Sequence, residues 1–234
     1  MEKITVCRLT PELCGDWVQY FDEIAFKDHQ DWAFCYCLEG HLEPKTQESW
    51  INAQERRARA IELIQSGVMQ GYLAYAGDRV VGWCNVNDRE NYLYLTTMFR
   101  EIGYQPEGRA KAIYCFLIAP EFRGKGVAQS LLDRVCEDAA QDGYDCIEVY
   151  PFVDKQFEFQ YHGTYGMYVR NGFTEIADLQ YVKVMQKKLE RVDKYGNIPN
   201  AETQKAIEDA QNGIGLSRGF SSVRELMEDL NSDD

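Results

Sequence analysis

The residues best suited to chemistry are Arg123-Gly124-Lys125-Gly126-Val127-Ala128, which stand between an apolar run ending at Pro120 and a helical pattern opening at Val127. At a strand-to-helix turn, the free N–H groups of the first helical turn and the positive end of the helix dipole converge on one point. Glycine there lets the backbone approach an anion closely. The arrangement predicts a pyrophosphate cradle. It is neither a dinucleotide fingerprint nor a Walker loop, because G-x-G-x-x-G and G-x-x-x-x-G-K-[ST] are both absent. Cys35, Cys37 and His41 have the spacing of three metal ligands, but no fourth is indicated and the surrounding Trp32, Phe34 and Tyr36 are aromatic. Metal binding is therefore not expected.

A cradle works only if a strand and a helix hold it. The run ITVCRL at 4–9 alternates and reads as a first strand, and helical patterning between Pro11 and Gly67 predicts two helices with a loop between them. GYLAYAGDRVVGWCNV, from Gly71 to Val86, reads as a hairpin turning at Gly77-Asp78. AKAIYCFLIAP, from Ala110 to Pro120, is a fourth strand stopped by a proline that cannot donate to a ladder. After the glycines, Val127, Leu131, Leu132, Val135 and Ala139 fall at helical spacing until Gly143. DCIEVYPF then reads as a fifth strand, GTYGMYVRNGF as a short helix ending at Gly172, and LQYVKVMQKKL as a last strand. Single helices interrupting strands predict an α/β (α+β) fold, a mixed and partly parallel sheet covered by helices.

Composition sets the outer limits. The 234 residues, 45% of them hydrophobic, suffice for one α/β core and an appendage. Lys and Arg number 25 against 38 Asp and Glu, a net charge of -13 that disfavours nucleic-acid backbones and anionic lipid. There is no signal-like apolar stretch at the N-terminus and no run near the roughly 18 apolar residues of a membrane span, so a cytoplasmic protein is expected. The 8 cysteines then read as reduced core thiols.

The run CFLIAPEFRGKGVAQSLLDRV resembles the signature of the GNAT acyltransferases: strand, proline, R-x-x-G-x-G/A and helix. Arg123, Gly126 and Ala128 occupy its defining places. TYGMYVRNGF resembles the closing motif of the same family, with Tyr168 at its tyrosine and Gly172-Phe173 at its ending. As an order of elements the resemblance covers about residues 1–190, and as motifs about 110–175. It implies a twisted sheet whose strands four and five splay apart, with helices on both faces. It also implies acetyl-CoA as co-substrate, its pantetheine arm paired with backbone groups of Leu117 and Ile118 and its pyrophosphate held by Arg123, Gly124, Lys125, Gly126, Val127 and Ala128. An amine of a small molecule or peptide would attack directly, so Cys115 is a packing residue rather than a nucleophile. Tyr168 matches the family's general acid. Glu148 is the candidate base, since alternation puts Cys146, Glu148 and Tyr150 on one face near the splay; a solvated strand carboxylate is the competing reading. Asn85, Asn87, Trp32, Tyr36 and His41 are candidates for the acceptor pocket. The alternative function is a catalytically inactive GNAT scaffold acting as an interaction protein.

Beyond Leu189 the texture changes to a polar linker and two short helical patterns over 191–234, with five basic and nine acidic residues. Asn200 would cap the first helix, AETQKAIEDAQ. Ser222 and Glu225 form a capping box for the second, in which Val223, Leu226, Met227 and Leu230 make an apolar stripe. This tail resembles the toxin-binding part of the RelB/DinJ antitoxins, which implies a RelE-like toxin as partner. The alternatives are packing on its own domain or exchange across a homodimer.

Overall fold

The structure is a computed structural model that describes residues 2–42, 52–101, 103–105, 108–152, 161–179, 182–190, 201–212 and 214. The chain divides into two units, Met1–Arg191 and Val192–Asp234. The first contains β1 (Ile4–Arg8), α1 (Cys14–Glu23), α2 (Ala53–Gln65), β2 (Gly71–Ala76), β3 (Arg79–Asp88), α3 (Leu93–Glu101) and β4 (Ala110–Ile118). It continues with α4 (Val127–Gln141), β5 (Cys146–Val149), α5 (Tyr165–Arg170), β6 (Thr174–Asp178) and β7 (Lys183–Lys188). One seven-stranded sheet has the order β1-β2-β3-β4-β5-β7-β6. Only β4 and β5 run parallel; the other neighbours are antiparallel. No helix among the described residues is long and apolar enough to cross a membrane.

The hairpin forms where the turn residues place it, with Gly77 at φ 58 between β2 and β3. Pairing of β4 with β5 runs only from Ala110↔Cys146 to Ile113↔Val149, whereas β4 itself continues to Ile118. From Tyr114 onward that edge of β4 is parted from β5, which is the splay the sequence resemblance implied. Trp83 meets Trp17 of α1 edge-on at 6.0 Å, while a Cβ on the adjacent Gly82 would meet Val127 of α4. Neighbouring residues of a strand point to opposite faces, so α1 and α4 cover opposite faces of the sheet.

Two elements differ from expectation. α3 was not anticipated: its Tyr and Thr residues suit a strand as well as a helix, although Tyr92, Leu95 and Phe99 are buried at helical spacing. β6 is an edge strand whose Thr174, Glu175, Ile176 and Asp178 are exposed, so it has no apolar alternation to read. The single strand expected at 179–189 is β7, which pairs with both β5 and β6.

Side chains lock these elements. In α1 Trp17, Tyr20 and Phe21 are buried, and Tyr20 donates its hydroxyl to the Leu117 carbonyl at 2.7 Å, fixing α1 to the end of β4. In α4 the buried Asp138 accepts from Arg8 of β1 (2.7 Å), Tyr72 of β2 (2.9 Å) and Arg134 (2.8 Å). Of the second unit, α6 (Ala201–Gln211) coincides with the first helix expected in the tail. Its expected cap Asn200, the Ser222–Glu225 box and the Val223–Leu230 stripe lie outside the described residues, as do most of the residues that carry the antitoxin resemblance.

Candidate active site

The turn between β4 and α4 has the backbone that an anion cradle requires. Gly124 and Gly126 lie at φ 72 and 85, in the left-handed region that glycine enters without strain, and a Cβ built on either meets nothing within 4 Å. Gly126 is the N-cap of the 15-residue α4 and offers no side-chain cap. Lys125 N–H donates to Phe122, and the first N–H of α4 with a partner is that of Ser130, to Gly126. Among the described residues, the N–H groups of Gly124, Gly126, Val127 and Ala128 therefore have no backbone acceptor. They stand at the positive end of the helix dipole, and a pyrophosphate fits this donor set. Arg123 contributes differently. Its guanidinium pairs with Asp28 and donates from Nε to the Ile118 carbonyl at 3.1 Å, so its side chain braces the loop against β4. That pairing holds the Asp28 carboxyl below the usual carboxylate range.

The opened edge of β4 is the second component. Ala119 N–H donates to Val81 of β3, whereas Phe116 N–H donates away from β3 to the Tyr161 carbonyl at 2.6 Å. Alternation then turns the Ile118 N–H to the opened edge and the backbone of Leu117 toward β3. Ile118 is thus placed to pair with a ligand in the splay; Leu117 is not, and contributes its side chain instead. Two cavities flank this edge. One, of about 450 Å³, runs from the phosphate loop at Arg123 and Ala128 past Ile118 to Thr164 and Met167. The other, of about 480 Å³, is walled by aromatic and sulfur-bearing side chains with Glu39 among them. Phe26, Trp32, Leu117 and Tyr161 line both, so the cavities lie side by side at the end of β4.

Neither residue expected to move protons lines either cavity. Tyr168 is wholly buried and donates its hydroxyl to the His162 carbonyl at 2.6 Å; burial pushes its pKa well above that of an ordinary tyrosine. A Cβ on Gly163 would lie 2.5 Å from that hydroxyl, so a glycine is required above the ring. Glu148 is also wholly buried. It forms an ion pair with Arg89 at 2.9 Å and accepts from Tyr150 at 3.0 Å and from Gln186 at 3.4 Å. Of the expected pocket residues, Trp32 lines both of these cavities and Asn85, Asn87, Tyr36 and His41 line neither. Asn85 bonds to the Cys37 carbonyl and Tyr92, Asn87 to the Val68 carbonyl, and Tyr36 to Asp22, while His41 packs on Tyr92.

The titratable groups among the described residues on the wall of the second cavity are Glu39, Tyr94, Tyr114, Tyr150, Tyr161, His162 and the thiols of Cys35, Cys37 and Cys115. His162 faces the Tyr114 carbonyl with Nδ1, which must therefore carry the proton, leaving Nε2 as an acceptor. Burial pushes its pKa down to about 4, so the ring is neutral near pH 7. For Cys115 a hydrogen bond with Cys37 acts to lower the pKa, but burial and the neighbouring Cys35, Cys84 and Glu39 raise it on balance, leaving a protonated and unreactive thiol. Glu39, Tyr161 and His162 were not singled out in the sequence. Glu39 lies inside the segment read for metal spacing, and His162 beside the glycine that opens α5; neither position carries a periodic pattern.

Residues 23–173, well over half of the chain, match the Acetyltransferase (GNAT) family. No curated protein matches. Among solved structures, a GNAT-family acetyltransferase from Desulfovibrio desulfuricans is 15% identical, with 80% of this chain and 99% of that one covered at a TM-score of 0.49. The PaiA N-acetyltransferase of Thermoplasma acidophilum, in complex with coenzyme A, is 17% identical with 80% and 99% covered and a TM-score of 0.48. YncA of Salmonella typhimurium, with acetyl-CoA, is 12% identical with 85% and 99% covered and a TM-score of 0.45. The match over residues 23–173 spans the phosphate loop, both cavities' β4 edge and α5 through Phe173, and on it the chain belongs to the GNAT acetyltransferase family.

Proposed function

We propose that this protein is an acetyl-CoA-dependent N-acetyltransferase that passes the acetyl group to an amine by direct attack. The observation that carries this reading is a pair of cavities sharing walls at the free edge of β4, one reaching the phosphate loop at Arg123 and Ala128 and the other on its far side with room for an acceptor. Bound there, acetyl-CoA supplies a thioester carbonyl for the amine nitrogen to attack: an acceptor that arrives as an ammonium first gives one proton to solvent, the C–N bond forms as the C–S bond breaks, a second proton passes from nitrogen to the departing sulfur, and the third stays on the amide. The unpartnered N–H groups of Gly124, Gly126, Val127 and Ala128 hold the pyrophosphate, and the Ile118 N–H orients the pantetheine arm. Arg123, tied to Asp28 and to Ile118, keeps loop and strand in register. The protonated Cys115 thiol favours direct transfer over an acyl-cysteine route. We read Tyr168 as supporting the His162 carbonyl from below, and Glu148 as the partner of Arg89, rather than as the acid and base.

Isothermal titration with acetyl-CoA tests this, comparing the full chain with Gly124→Val/Gly126→Val. The expected outcome is binding at about micromolar Kd, lost in the variant while its circular dichroism is kept. No binding by the unaltered protein would overturn the enzyme reading in favour of an inactive scaffold.

A further inference from the structure

The segment from Tyr161 to Thr164 runs between the two cavities and carries a group placed to move a proton, an inference that rests on the acetyltransferase reading above. β4 and β5 part after Ile113↔Val149. Across the opening, the Tyr114 carbonyl meets Nδ1 of His162 and the Phe116 N–H meets the Tyr161 carbonyl at 2.6 Å. Residues 161 and 162 thus take the hydrogen-bonding positions that β5 leaves, one through its backbone and the other through its ring. Tyr161 lines both cavities, His162 the larger, and Gly163 and Thr164 the one that reaches the phosphate loop. Four strand positions, about 13 Å, separate Ile118 from Tyr114. A ligand arm that pairs with the Ile118 N–H and runs back along β4 therefore brings its far end to the imidazole.

The ring is fixed on each side. Its backbone carbonyl accepts the Tyr168 hydroxyl at 2.6 Å, and Gly163, at φ 77, lets the chain turn over that hydroxyl where a Cβ would clash. The imidazole meets the Tyr114 ring edge-on at 5.2 Å and packs on the Tyr161 ring at 4.5 Å. With the proton held on Nδ1, Nε2 carries a lone pair. Among the described residues Nε2 has no hydrogen-bond partner, yet it is not sealed in as both nitrogens of His41 are, and its ring forms part of the cavity wall. Burial holds the imidazole pKa down at about 4, so a proton taken by Nε2 is readily surrendered to a thiolate, a far stronger base. We propose that Nε2 of His162 is the proton relay of acetyl transfer, taking the proton that the amine nitrogen loses as the C–N bond forms and giving it to the CoA sulfur as the C–S bond breaks. The imidazole ends as it began, neutral and protonated on Nδ1. Tyr168 is then a positioning residue, which holds the backbone of His162 and does not itself touch the sulfur.

The test uses hydroxylamine as acceptor, neutral at mildly alkaline pH and small enough for either cavity, with the full chain and with CoA release read as free thiol above the uncatalysed rate. In His162→Gln the side-chain amide can still donate to the Tyr114 carbonyl but has no nitrogen lone pair to take a proton. Its kcat should fall by about a hundredfold or more, as for loss of a group that moves a proton in the transition state, while the Kd for acetyl-CoA stays within about twofold. In His162→Ala, imidazole added to the solution should raise the rate by about tenfold or more, which a merely structural ring would not allow. Nitrogen NMR of the histidines should show His162 protonated on Nδ1 and bare on Nε2. A His162→Gln rate within about threefold of the unaltered protein, a fall in rate matched by lost acetyl-CoA binding, no rescue by imidazole, or a ring protonated on Nε2 would each overturn the relay. If both variants fail to fold, the nitrogen spectrum of the unaltered protein decides. Acetyl-CoA binding with no acceleration of hydroxylamine would overturn the relay and leave the cofactor site standing, whereas no binding by the unaltered protein would overturn the transferase reading itself.

Discussion

Glu148 shows how far burial can change what a residue type means. A carboxylate on a strand beside the splay has the chemistry of a base, but its side chain is 0% exposed and faces Arg89, itself 5% exposed, at 2.9 Å. Without Glu148, Arg89 would keep Glu90 at 2.9 Å and the Gly108 carbonyl at 2.7 Å, but its Nη1 would lose a charge-assisted hydrogen bond in a poorly solvating interior. Glu148→Gln should therefore lower stability in urea by about 1.5–3 kcal/mol. The kcat/KM per folded molecule should stay within about threefold of the unaltered enzyme, because the group lies on neither cavity wall. A loss of about a hundredfold or more in rate with stability unchanged would return Glu148 to the role of base. The glycines of the phosphate loop make the complementary case. Gly124 and Gly126 have open space where a Cβ would be, so replacing them blocks a ligand and imposes backbone strain of about 1–2 kcal/mol per residue without disturbing packed neighbours.

At the scale of elements, what was legible is what local chemistry decides. α2 begins at Asn52, whose side chain accepts from the Glu55 N–H at 2.8 Å and so satisfies one of the four orphan donors of that helix. Asn52→Ala should cost about 1 kcal/mol in chemical denaturation, while Asn52→Gly should cost only a few tenths; equal losses would mean that the cap contributes through packing instead. α4 was readable for the same reason, an apolar stripe between two glycines. β6 was not, because it rests on pairing along one edge and leaves no period in the sequence; α3 has buried residues at helical spacing, Tyr92, Leu95 and Phe99, but its Tyr and Thr content suits a strand equally well. The registers of β4 and β5 are also tertiary facts. Four residue pairs join them, and nothing in AKAIYCFLIAP or DCIEVYPF marks Ile113↔Val149 as the last.

For the whole molecule, two buried histidines couple folding to pH. Burial pushes the pKa of both His41 and His162 down to about 4. An unfolded chain would titrate them near 6.5. The unfolded state therefore binds more protons between these values. The stability contributed by the neutral rings is fully present above about pH 6.5 and is lost as pH falls through about 4, by up to roughly 3 kcal/mol for each. Urea midpoints should be flat from pH 8 to 7 and decline steadily from 6.5 to 4. His41→Phe, at a ring packed 5.1 Å from Tyr92, should remove about half of that decline. An unchanged slope in the variant would show that carboxylates set the acid limit instead.

The sequence by itself determined the phosphate loop, the order of most elements, the short helix carrying Tyr168 and the helix at Ala201–Gln211. Each follows from neighbours in the chain: glycines between strand and helix, apolar spacing, caps and turn residues. The tertiary structure decided where charge and space meet. Arg89 reaches Glu148 across 59 positions, Tyr161 takes the Phe116 N–H across the splay, and Glu39 is aimed into an aromatic cavity by a clamp from Arg56. Such contacts depend on register and on the packing of distant segments, which no local pattern encodes. For this reason the cofactor loop was visible in the residues alone, whereas the acceptor side of the site emerged only from the fold.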